Sequence, residues 1–230
     1  MKIGGLMKLT LLDFPDKVAC TIFTAGCNFK CPFCHNAFLV NTNGDELEEE
    51  EILEFLRSRK KILDGVCITG GEPTIHPDLG DFIKKIKSET GLLVKLDTNG
   101  ANPKALKSLV NEGLVDYVAM DIKNSPDKYA VTAGVGENVL EKVRESIDFL
   151  MENKVDFEFR TTVTNEFHTD EDMRKIGEWI KGAPKYYIQS FKDSGDILES
   201  GNTPPSAGDL KRFLAIVKDY VPTARLRGTD

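Results

Sequence analysis

The chain has no run of apolar residues that approaches the length of a membrane span, which argues against a transmembrane helix. Its first residues, Met1-Lys2-Ile3-Gly4-Gly5, do not open a signal peptide. Basic charge is in deficit: 30 Lys and Arg against 37 Asp and Glu leave a net charge of −7, so nothing electrostatic invites nucleic acid. Linkers, repeats and low-complexity runs are lacking too, and residues 1–230 are expected to form one domain. Cysteines are few, five in all, and free clustered thiols fit a reducing, cytoplasmic setting better than a disulfide framework.

Three of those five cysteines fall in one loop, Cys27-Asn-Phe-Lys-Cys31-Pro-Phe-Cys34. Thiolate is a natural ligand for iron–sulfur clusters and for zinc, and closely spaced thiolates can converge on one centre without long-range folding. Three ligands on a cluster of four irons leave one iron open to a small molecule, which marks a reactive centre. Other centres compete. Cys31-Pro-Phe-Cys34-His35 has the form of a haem attachment motif, but that chemistry normally requires export. A structural zinc site wants a fourth ligand, and His35 adjoins Cys34 too closely to share its tetrahedron well. A disulfide would strand one thiol. The reactive cluster is therefore preferred.

Along the chain, strands alternate with helices. Residues 1–17 read as a short β-rich leader that ends in the turn signal Asp13-Phe14-Pro15-Asp16-Lys17. Strands are expected at Val18–Thr24, Gly65–Thr69, Leu92–Leu96, Leu114–Met120, Val155–Val163 and Lys185–Phe191. Between and after them, apolar spacing predicts helices over Glu46–Lys60, Asp78–Glu89, Pro103–Asn111, Val139–Asn153, Asp170–Lys181 and Ser206–Tyr220. The acidic run Asp45–Glu51 is read as a solvated helix start. Cys20 falls inside the first of these strands and is expected to pack there. The alternation predicts an α/β fold, a parallel sheet with helices outside, over a core of 18–191 followed by a loop and C-terminal helix in 192–230. Residues 192–205 are equally a mobile lid or a plain surface connection.

In such folds the active site collects at the C-terminal ends of the strands, and the polar residues of this chain stand there. The first strand runs into the cysteine loop. The second ends in Thr69-Gly70-Gly71-Glu72-Pro73, where two glycines allow close approach and Glu72 can accept from an ammonium. Asp97, Thr98 and Asn99 offer groups suited to ribose hydroxyls. Asp121 and Lys123 share a strand face and are expected to pair with each other or with a ligand. Arg160, if it points inward, needs an anion, either a ligand carboxylate or Asp121. Together they describe a pocket for a small zwitterion bearing a nucleoside, beside a cluster with an open iron. S-adenosylmethionine (SAM) fits.

At these residues the chain resembles the radical SAM enzymes, through its Cys27/Cys31/Cys34 motif, with Phe33 before the last cysteine, and through Gly70-Gly-Glu-Pro73. Leu96-Asp-Thr-Asn-Gly100, Met120-Asp-Ile-Lys123 and Cys34-His-Asn36 are similar to segments of the glycyl-radical-enzyme activases. The stretch Leu11–Val18 most resembles the activating proteins of anaerobic ribonucleoside-triphosphate reductase. The resemblance implies a partial (β/α)6 barrel, open on one side to admit a protein loop. It implies one [4Fe-4S] cluster on Cys27, Cys31 and Cys34, with SAM as cosubstrate. Phe33, Cys34 and His35 would meet the adenine side; Gly71 and Glu72 would meet the methionine amine; Asp97, Asp121 and Lys123 would line the pocket. For His35 a structural role stays open beside the ligand contact. The implied partners are anaerobic ribonucleotide reductase, presenting a glycine loop, and an electron donor such as flavodoxin or ferredoxin. A radical enzyme acting on a small molecule, or on another glycyl radical enzyme, is the alternative. The chain departs from some activases where they carry a histidine past the sixth strand and it reads Gln189-Ser-Phe-Lys192, which leaves contacts from 189–192 open.

Overall fold

A computed structural model describes residues 1–34, 36–40, 46–193 and 195–228. Its frame is one eight-stranded sheet whose strands lie in chain order: β1 (Ile3–Thr10), β2 (Ala19–Thr24), β3 (Gly65–Gly70), β4 (Leu93–Thr98), β5 (Tyr117–Asp121), β6 (Asp156–Val163), β7 (Tyr186–Ser190) and β8 (Arg225–Arg227). β1 is antiparallel to β2, and every later neighbour is parallel. The sheet does not close; β1 and β8 are its two edges. This is the expected partial barrel, extended by one parallel strand. Three residues, Arg225-Leu-Arg227, carry too little pattern to announce β8 in sequence.

Eight helices accompany the strands among the described residues: α1 (Ala37–Val40), α2 (Glu49–Arg59), α3 (Leu79–Thr90), α4 (Pro103–Asn111), α5 (Tyr129–Ala133), α6 (Val139–Met151), α7 (Asp170–Trp179) and α8 (Ala207–Lys218). α7 and α8 each start in a capping box, Thr169 with Asp172 and Ser206 with Asp209, which satisfies backbone donors that have no helical partner. α2 begins later than expected because Leu47 makes an antiparallel bridge to Ile3 instead. Its first turn is acidic through Glu49, Glu50 and Glu51, while Asp45 lies outside the described residues.

Side chains alternate across each strand, and the two faces differ in kind. Outward residues such as Ile22, Val66, Ile68, Val94, Leu96, Val118 and Ile188, together with Cys20, are buried in one large apolar core that also takes Leu56 of α2, Phe82 of α3, Ile147 of α6 and Ile176 of α7. The other parity, including Thr21, Asp97, Asp121, Arg160 and Gln189, lines the barrel's inner cleft. The leader is part of this frame. Its turn carries Phe14 onto Tyr117 and Ala19, a small second core.

Candidate functional site

Beyond β2, the backbone of the cysteine loop lies against the turn that follows β3. Gly71 N–H donates to Thr24 O at 2.8 Å and Glu72 N–H to Gly26 O at 2.8 Å. A Cβ on Gly71 would stand 1.9 Å from Gly26 O, and Gly70 has φ +117° with Thr24 backbone 2.4 Å from where its Cβ would be. These glycines first of all let two loops meet backbone to backbone. The close approach foreseen from sequence is filled by the protein's own chain.

That contact fixes one wall of a cleft of about 320 Å³. Cys27, Cys31 and Cys34 line it with Phe33, Gly70, Gly71, Glu72, Asp97, Thr98, Asn99, Asp121, Lys123 and Arg160. Every sequence-chosen residue that the structure describes is thus brought to one place. His35 lies outside the described residues.

A ladder of alternating charge runs from the cleft into the wall behind it. Arg160 donates from Nη1 to Asp97 Oδ2 and from Nε to Asp121 Oδ1, both at 3.0 Å. Lys123 Nζ donates to the other Asp121 oxygen at 3.0 Å, and at the far end Lys95 pairs with Asp97 Oδ1. Burial pushes the Asp97 and Asp121 carboxyls up, but Arg160 and the lysine beside each outweigh it and hold both below the usual carboxylate range. Burial opposes the charge on Lys123 as well, and Asp121 more than restores it. Three cations against two anions leave the ladder one positive charge. Arg160 finds its anions within the protein, and both aspartates are engaged by protein cations.

Glu72 already has several partners within the protein. Its Oε1 accepts from Thr74 N–H at 3.1 Å, the Thr74 hydroxyl at 2.5 Å and the Thr98 hydroxyl at 2.7 Å, and its Oε2 accepts from Asn99 N–H at 2.6 Å. Burial pushes this carboxyl up, and those bonds pull it part of the way back. A buried carboxylate so occupied ties the end of β3 to the end of β4, and only Oε2 keeps capacity for a ligand ammonium. Asn99 is similarly engaged, its Nδ2 donating to Asn28 Oδ1 at 2.8 Å and its Oδ1 accepting from Ala101 N–H at 2.9 Å.

Several residues in and behind the cleft escaped the sequence reading. Lys95 is fully buried and two residues from Asp97, a spacing that puts both on one strand face; an isolated lysine in an apolar strand was the available signal. Thr162 follows Arg160 by the same step, and Gln189, left open from sequence, also lines the cleft, as do Met7 and Asp13 of the leader. The loop 192–205 is anchored at points: Glu199 N–H donates to Pro32 O at 3.0 Å, and Asp196 Oδ2 accepts from Phe38 N–H at 3.0 Å.

The thiols suit a soft, polynuclear centre. All five cysteines are free, and Phe29 N–H points at Cys27 Sγ at 3.3 Å, the kind of donor that stabilises a ligating thiolate. Burial pushes Cys27 up to about 12 and Cys31 up to about 11, so these thiols await a cationic centre to become thiolates. Among the described residues no three His, Cys, Asp or Glu side chains converge on a position for a single metal ion. Cys20 and Cys67 lie in β2 and β3, outside the loop. No helix among the described residues is long and apolar enough to cross a membrane.

The Radical SAM superfamily model matches residues 21–180. A Methanocaldococcus jannaschii protein provisionally named a glycyl-radical enzyme activating enzyme is 34% identical over 233 residues, 98% of this chain and 95% of that protein. The pyruvate formate-lyase-activating enzyme of Clostridium pasteurianum is 28% identical over 64% of this chain and 63% of its own. Among solved structures, Streptococcus suis SuiB bound to S-adenosylmethionine superposes with a TM-score of 0.68 at 15% identity, covering 88% of this chain and 48% of SuiB; that likeness concerns the fold.

Proposed function

The chain belongs to the radical SAM superfamily, among the glycyl-radical-enzyme activating enzymes, and we propose that it activates anaerobic ribonucleoside-triphosphate reductase by placing a radical on a backbone glycine. The observation that carries the radical SAM part of this reading is the meeting of Cys27, Cys31 and Cys34 with residues from the ends of β3, β4, β5 and β6 in one cleft, while the choice of reductase rests on the resemblance of Leu11–Val18. Enzymes of this superfamily use a [4Fe-4S] cluster and SAM. Bound here, the pair would supply reductive cleavage of SAM, one electron from the reduced cluster giving methionine and a 5′-deoxyadenosyl radical able to take a hydrogen atom from the target glycine.

The chain's own residues have separable tasks. Cys27, Cys31 and Cys34 hold the cluster. Phe29, Cys31 and Phe33 are buried and keep water from its side of the cleft. Glu72 fixes the ends of β3 and β4 and offers Oε2, with Gly71, to the methionine amine. Lys123, the cation at the cleft end of the ladder, attracts the methionine carboxylate, while Thr98 and Asn99 lie on the ribose side and Phe33 on the adenine side. The open edge between β1 and β8 admits the glycine-bearing segment of the partner. A low-potential one-electron carrier such as flavodoxin or ferredoxin is the reductant, and the free thiols agree with a cytoplasmic location. The single sheet supports reading residues 1–230 as one domain.

Anaerobic reconstitution tests the reading. About four irons per chain are expected, with release of deoxyadenosine from SAM under reduction. Zinc uptake without iron would contradict it.

A further inference from the structure

His168 stands just beyond β6, is absent from the cleft lining, and is buried at 3% exposure. Its ring is held at three points. Thr164 N–H, an obligate donor, points at Nδ1 at 3.2 Å, so the proton sits on Nε2, which donates to Lys123 O at 2.9 Å. The ring packs at a steep angle against Phe33, with centroids 6.2 Å apart, and neighbouring Phe167 packs on Phe33 at 5.7 Å. Lys123 follows β5 and Phe33 belongs to the cysteine loop, segments far apart in the chain that both line the cleft, and His168 touches both.

A closed circuit of contacts passes through this histidine. Asn124, next to Lys123, donates from Nδ2 to Phe167 O and to the Thr132 hydroxyl, each at 2.9 Å. Thr132 and Ala133 belong to α5, where Ala133 O accepts from Lys30 N–H at 3.0 Å. Gly134 then comes so close that a Cβ would stand 2.2 Å from Lys30 O. From Lys30 and Cys31 the chain returns within three residues to Phe33, and through it to His168.

We propose that His168 is a positioning residue for SAM, clamping the Lys123 main chain to the Phe33 ring so that the carboxylate and adenine ends of the cleft keep a fixed separation. This rests on the reading that Phe33 and Lys123 face SAM. A neutral imidazole suits the task because it donates on one side and accepts on the other while its ring edge stays apolar enough to pack on phenylalanine.

Two conservative variants test the clamp. In His168→Gln the amide reaches about as far as Nε2 and can keep the Lys123 bond, whereas in His168→Asn the amide reaches only the Nδ1 position and keeps the Thr164 bond alone. SAM affinity is measured on cluster-loaded protein by titration calorimetry, with iron content and melting temperature recorded for each. His168→Gln is expected within about threefold of the parent and His168→Asn about tenfold weaker than His168→Gln, the scale of one lost buried hydrogen bond, at similar iron content. Equal affinity in both variants and the parent, with only melting temperatures lowered, would overturn the clamp and leave His168 as packing. Parent protein that holds its cluster yet binds no SAM would instead overturn the underlying reading.

Discussion

Arg160 and Asp121 join β6 to β5 inside the barrel through an ion pair of 3.0 Å, while the same guanidinium holds Asp97 of β4 at 3.0 Å. One side chain therefore bridges two half-buried carboxylates, each of which also has a lysine, and three strands carry charge on their inner face. Arg160→Met would leave both without their shared cation. Loss of about 1–3 kcal/mol of stability is expected in chemical denaturation, the scale of a lost charged hydrogen bond, because Lys95 and Lys123 leave each carboxylate one partner.

The same pair fixes a pH dependence. Both carboxyls are held below their unfolded value of about 3.9, so their stabilisation is present above about pH 4 and is lost as pH falls through the folded values. In Arg160→Met the folded carboxyls rise, and the acid-unfolding midpoint followed by circular dichroism should move to higher pH.

His168 titrates in a separate window. Burial pushes it down to about 4, against Asp172, which raises it, and with Lys128, which lowers it. A depressed histidine binds its proton in the unfolded chain first, so stability should fall as pH drops from about 6.5 to about 4, by about 3 kcal/mol at most. Denaturant midpoints of His168→Gln across that window should have a shallower slope than those of the parent.

Gly71→Ala places a methyl against Gly26 O and should drive the cysteine loop away from the β3 turn. Iron retained after reconstitution and gel filtration is expected to fall several-fold. Gly80→Ala, whose Cβ meets Leu109 at an ordinary 3.7 Å within α3, is the control and should be neutral or stabilising by up to about 1 kcal/mol.

Cysteine substitutions separate ligands from packing. Alanine at Cys27, Cys31 or Cys34 should abolish stable cluster binding, read as loss of visible absorbance and iron. Cys20→Ala, in the outer core, should keep both and lose only the stability that accompanies a small cavity.

The parallel strands, the helices after them and the convergence of polar strand ends were legible because strand and helix periods differ and because barrels collect their sites at one end. Three kinds of feature were not. β8 is three residues long and depends on pairing with β7, a long-range event that leaves no local pattern. That Glu72 also ties Thr98, Asn99 and Gly26 together was hidden, because only the folded arrangement brings those partners near. His168 lay in an unremarked segment because its importance comes from touching Lys123 and Phe33, which are distant in the chain.

The most direct measurement reduces the cluster-loaded protein anaerobically with SAM and an anaerobic ribonucleotide reductase, then records an electron paramagnetic resonance spectrum. A glycine-centred radical on the reductase, formed together with deoxyadenosine, is the expected result. Deoxyadenosine released with no protein radical would contradict the assignment and point to a small molecule or a different glycyl radical enzyme as the substrate.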